Sequence, residues 1–221
     1  MGGLIPLTDA SRRPTHFPIV TAGIIFTNFV VFVLELKGGE AFVLQWSAIP
    51  AHITAGHQWI TILTAMFMHG SWSHILGNMV FLWAFGPEME DAMNPLRYLV
   101  FYVAGGLAAC LAQVAISPTS TVPTLGASGA IAAVMGAFLV TYPRDKIRSL
   151  LIIFVFIRVT LIPAGLLIGV WLLIQLVNVG SVATVQTGGV AYMAHVGGAL
   201  FGVLTARLFR DPQRHIVNGT N

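Results

Sequence analysis

Apolar residues gather along this chain into six long runs, at 17–36, 72–86, 98–116, 125–142, 161–179 and 190–209, several of them with no charge inside. A hydrocarbon core about 30 Å thick needs roughly 20 apolar residues per helix. Backbone inside a bilayer must also satisfy its own hydrogen bonds, which favours helices. The pattern therefore predicts an all-α polytopic membrane protein with six transmembrane helices: a short N-terminal segment (1–16), one membrane domain (17–209) and a short tail (210–221). The second run follows Gly70-Ser71, where Ser71 is placed to cap it, and Pro123 and Pro143 border the fourth. Between the first two runs lies a long loop, 37–68. It carries Trp46, Trp59 and a short apolar stretch suited to lying partly embedded at the membrane interface.

Composition agrees with this reading. With 56% hydrophobic and 9% charged residues, most of the chain has no means of staying soluble as an ordinary globular domain. The single cysteine, Cys110, excludes a disulfide framework and a cysteine-based metal site. The first run is too long for a cleaved secretory signal, so it is expected to remain as the first span. Basic residues set the orientation. Arg12, Arg13, Arg97, Arg144, Lys146, Arg148, Arg158, Arg207, Arg210 and Arg214 all fall on one side of a six-span layout, and Lys37 alone falls on the other. The positive-inside rule then puts both termini in the cytoplasm. Charge placed this way speaks for membrane topology and against nucleic acid. Spans three, four and six are rich in Gly and Ala, which permit close helix approach. The fifth carries Leu, Ile, Val and Trp171, so four and six are expected at the centre and five against lipid.

Polar side chains within spans are costly, and four need a reason: His74 and Asn78 in the second, Ser128 in the fourth and His195 in the sixth. In this layout spans two, four and six enter from the non-cytoplasmic side, and each carries its polar residue in the first few turns. All four thus converge toward the outer leaflet. His74 and Asn78, four apart, share one helix face; His69 lies nearer the entrance, in a supporting place. A serine hydroxyl that attacks a peptide carbonyl needs a base within reach and donors for the developing oxyanion. Ser128 fits the nucleophile and His195 the base, with Asn78, His74 and the Ser128 backbone N–H as oxyanion donors. No Asp lies in the runs, so packing or another hydrogen bond must orient the His195 ring.

Taken singly, each residue has a plainer reading. Ser128 between Gly126 and Gly129, and His195 ahead of Gly198 and Gly202, both resemble small-residue packing sites, and Asn78 suits an interhelical hydrogen bond. Convergence at one depth favours chemistry. Other chemistries fit poorly: a zinc protease needs a His-Glu-x-x-His that is not present, an intramembrane aspartyl protease needs a pair of Asp that no run holds, and the soluble hydrolase elbow Gly-x-Ser-x-Gly fails because Ala130 stands at its last Gly.

The motifs resemble those of the rhomboid intramembrane serine proteases. Gly-x-Ser-Gly appears as Gly126, Ser128 and Gly129, and His-x-x-Gly-x-x-x-Gly as His195, Gly198 and Gly202. The second-span motif appears as His69, His74 and Asn78. The resemblance runs from about residue 17 to 207 and is closest to the short six-span prokaryotic form. It departs at Trp59-Ile60, where many members have Trp-Arg, and at Ala132, where some place a tyrosine that stacks on the histidine. The resemblance implies hydrolysis of a peptide bond in or next to the membrane segment of single-span substrates, with no metal or organic cofactor. It further implies membrane lipid as surroundings and a cavity open to the outside, with the fifth span as a lateral entrance. The alternative is a related binder that captures transmembrane clients without cutting them. Oligomeric state is not legible.

Overall fold

The computed structural model describes residues 2–153, 156–182 and 191–213. In chain order, strand β1 (Gly2–Asp9) precedes helix α1 (Ile19–Trp46), two short helices α2 (Pro50–Thr54) and α3 (Thr61–Thr64), then α4 (Trp72–Met93), α5 (Pro95–Ile116) and α6 (Ser128–Thr141). Strands β2 (Lys146–Ile153) and β3 (Phe156–Pro163) follow, and α7 (Ala164–Val182) and α8 (Tyr192–Phe209) complete the described chain.

Helices α1, α4, α5, α6, α7 and α8 occupy the six apolar runs in order. By length and composition, three of the described helices are sufficient to cross a membrane: α1, α5 and α8. The shorter α6 and α7 are apolar. Helix α4 continues past its predicted end through Pro87 and carries Glu88, Glu90 and Asp91 in its last turns. Helix α1 also outruns its predicted end, continuing past residue 36 to Trp46 through a break at Gly39 (φ 61°, ψ −153°), a conformation that suits glycine.

The described chain is mostly helical, as expected for an all-α membrane protein, and it adds one small sheet that the apolar pattern does not predict. Strands β1, β2 and β3 form an antiparallel sheet in that order, and β1 lies against α4. Segment 146–163, expected as the loop between the fourth and fifth spans followed by the first three residues of the fifth, is rich in residues that favour extended backbone: Ile147, Ile152, Ile157, Val159, Thr160 and Ile162. Its pairing partner comes from the N-terminal segment (Ile5 opposite Leu150, Asp9 opposite Ile147). Helix α7 consequently starts at Ala164, after the strand ends at Pro163.

The core is built around α6, whose residues Gly129 to Phe138 are all buried. It packs most intimately on α8, as the glycines require. A Cβ on Gly198 would lie 2.1 Å from the Gly129 carbonyl oxygen, one on Gly202 2.0 Å from that of Ala133, and one on Gly136 2.2 Å from that of Ala199. Helix α7 exposes Leu166, Leu173 and Val177, in keeping with the expected lipid-facing position. At the end of the bundle that carries the sheet, the Glu90 carboxylate caps α1, accepting from Val20 N–H (2.9 Å), Thr21 N–H (2.8 Å) and Thr21 Oγ1 (2.8 Å). The N-termini of α4, α6 and α8 lie at the opposite end.

Candidate active site

Ser128 is the first residue of α6, so the N–H groups of Ser128, Gly129 and Ala130 have no carbonyl one turn back within the helix. The segment before it is fixed by the first loop. Ala48 and Thr124 exchange backbone hydrogen bonds (3.0 and 2.8 Å), Ala51 N–H donates to Ser120 O (3.0 Å), and Gly126 N–H donates to Ala65 O (2.8 Å). That loop is thus anchored by backbone pairing, while Trp59 and Ile60, at the position of the absent Trp-Arg pair, are exposed. Gly126 adopts φ +130°, and a Cβ there would sit 2.9 Å from His74 Cε1 and Nε2 and 3.6 Å from Ser128 Oγ. Glycine is therefore needed twice over, for backbone conformation and for space.

The close α6/α8 packing brings His195 Nε2 to 2.7 Å from Ser128 Oγ. Gly129, the other glycine of that motif, contacts α5: a Cβ on it would meet Ala109 Cβ at 2.6 Å. On α4, Ser71 Oγ accepts from His74 N–H (3.2 Å), the expected cap. Asn78 Nδ2 donates to His69 Nε2 at 2.9 Å, and the His69 and His74 rings meet edge to face at 5.0 Å. His69 is fully buried, and its backbone N–H donates to Glu35 Oε2 (2.9 Å). It buttresses Asn78 from behind, leaving the second amide hydrogen of Asn78 unused by that bond. His74, Asn78, Ser128 and His195 all line one cavity of about 720 Å³, together with Ser71, Ser73 and the 123–125 segment. The four residues predicted to converge do so, with His69 one layer behind.

Two contacts to His195 escaped the sequence reading. Gln175 Oε1 lies 2.8 Å from His195 Nδ1, and the Trp171 ring packs beside the imidazole, with ring centroids 5.5 Å apart and planes inclined by 41°. Both come from α7. The available signal was polarity: Gln175 is an amide flanked by Ile174 and Leu176 in an apolar run. Among the described residues, no group of His, Cys, Asp or Glu is arranged to hold a metal ion.

Chemically, the arrangement provides a hydroxyl next to an imidazole nitrogen, beside an open helix N-terminus that favours negative charge, in a cavity lined by further donors. A family model described as "Rhomboid domain" matches residues 56–212. The chain is similar to Rhomboid protein 1, mitochondrial, of Saccharomyces cerevisiae (28% identical over 204 residues; 90% of this chain, 55% of that protein). It is similar to Rhomboid protease GluP of Bacillus subtilis (32% over 111 residues; 49% and 21%) and to Rhomboid protease GlpG of Yersinia pestis (24% over 189 residues; 85% and 61%). The matched stretch thus spans between 21% and 61% of these relatives' own lengths.

Proposed function

This chain belongs to the rhomboid family and is an integral membrane protein, and on that premise we propose that it is an intramembrane serine endopeptidase that cuts single-span membrane proteins in or next to their transmembrane segment. The observation that carries the reading is the 2.7 Å contact between Ser128 Oγ and His195 Nε2 at the wall of the 720 Å³ cavity. Ser128 Oγ attacks the scissile carbonyl carbon while its proton passes to His195 Nε2. The carbonyl electrons move onto oxygen. That oxyanion faces the Ser128 N–H and the side chains of Asn78 and His74, donors already in place before charge develops. Collapse of the tetrahedral intermediate breaks the C–N bond, and His195 gives its proton to the leaving amine. Water, deprotonated by His195, then cleaves the acyl–Ser128 ester and restores both residues.

Six spans with both termini in the cytoplasm would open the cavity to the outer side. Substrate would enter from the bilayer past α7 and unwind locally, since an intact helix keeps its carbonyls hydrogen-bonded. Covalent labelling of the purified protein by a small fluorophosphonate tests the site directly: Ser128 Oγ bonds to phosphorus, fluoride leaves, and His195 takes the proton. We expect adduct on Ser128, absent in Ser128→Ala and lost in His195→Ala. A folded wild type that never reacts would favour a client-binding protein instead.

A further inference from the structure

We propose that Gln175 is a positioning residue for the serine–histidine pair: its carbonyl oxygen holds His195 in the one tautomer able to deprotonate Ser128. This rests on the protease reading above. An imidazole accepts a proton at Nε2 only if its single hydrogen is on Nδ1, and in the apolar interior of a bundle that choice is made by whatever Nδ1 faces. It faces the side-chain amide of Gln175, which is 7% exposed, at 2.8 Å. An amide presents either an acceptor or a donor, and the two have opposite consequences. With Oε1 toward the ring, Nδ1 carries the hydrogen and Nε2 is free for the Ser128 hydroxyl; with the NH2 toward it, Nε2 would be protonated and the pair inert. The other end of the amide decides. Gln175 Nε2 faces the Trp171 carbonyl oxygen at 3.4 Å, one turn earlier on α7, an acceptor that can take only the NH2.

Trp171 and Gln175 are four apart and share one helix face. The indole of the first packs beside the imidazole while the amide of the second meets its edge. Ring tilt and ring rotation are thus both restrained from α7. No carboxylate contributes: among the described residues, the hydrogen bonds of the His195 ring go to Gln175 and Ser128.

The test measures both fluorophosphonate labelling of Ser128 and cleavage of a single-span substrate in Gln175→Leu, Gln175→Glu and Gln175→Asn, with thermal unfolding as a check on the fold. Leu matches the volume but offers no acceptor. Glu keeps an acceptor oxygen at the same reach whether ionised or protonated, and Asn is one methylene short. We expect Gln175→Leu and Gln175→Asn to lower both the labelling rate and kcat at least about tenfold, the scale of one hydrogen bond, with KM unchanged; Gln175→Glu should restore most of the rate. Full labelling in a folded Gln175→Leu variant would overturn the proposal. So would a rise in KM with labelling unaltered, because that marks a residue that merely packs beside the substrate path. A wild type that neither labels nor cleaves sinks the protease reading instead.

Discussion

At Gly126 two demands meet in one residue, a left-handed φ and a gap that admits the His74 ring. Gly126→Ala is expected to displace His74 and the turn into Ser128. Labelling of Ser128 should then fall by an order of magnitude or more while helical circular dichroism stays near wild type. Full reactivity would mean that the turn tolerates a side chain. Ser128, His195, His74, Asn78 and His69 were legible because polar groups stand out in apolar runs, where each needs a partner. Gln175 satisfied that same criterion. The fifth run reads as lipid-facing as a whole, whereas a helix has two faces, and α7 turns Leu173 and Val177 outward while Trp171 and Gln175 face His195. The tyrosine absent at Ala132 has a counterpart in Trp171, which reaches the same imidazole from another helix. A pairwise contact of that kind leaves no periodic trace in a sequence.

Among the elements, α6 and α8 depend on backbone-to-backbone approach at Gly136, Gly198 and Gly202. Gly202→Leu must push the helices apart, because its Cβ would fall 2.0 Å from the Ala133 carbonyl oxygen. Overpacking of this kind costs about 1–3 kcal/mol, and we expect a clear fall in Tm together with lost activity as His195 moves off Ser128. Glu90 is the corresponding fastening for α1. Glu90→Ala leaves Val20 and Thr21 N–H without their acceptor, and hydrogen bonds to a charged group contribute about 1.5–3 kcal/mol each. Thermal unfolding should register that loss with Ser128 labelling intact in the folded fraction. The helices were legible from apolar run length alone, because that signal is local. The strands were not, since β2 finds its outer partner β1 near the other end of the chain.

At the scale of the molecule, the sheet is tied to the bundle through a cluster of charges. Asp9 is buried and accepts from Ser11 N–H (2.6 Å) and Arg12 N–H (3.3 Å); Arg12 pairs with Asp145 and lies over the Tyr142 ring. Burial, with the negative charge of Asp145 adding to it, pushes the Asp9 carboxyl up to about 6. A carboxyl raised on folding favours the folded state while protonated, so its contribution is full below the unfolded value near 4 and is lost as pH rises through 6. Asp9→Asn should therefore be more stable than wild type at pH 7, with the difference closing toward pH 5. An equal difference at both would contradict that assignment. The serine–histidine pair lies at the other end of the bundle, and its role is read out by cleavage of a model single-span substrate by purified protein, wild type against Ser128→Ala and His195→Ala. We expect one discrete cut in or beside the substrate's transmembrane segment, abolished in both folded variants; cutting that survives either substitution, or a folded wild type inert across a broad substrate panel, would rule out proteolysis by this pair.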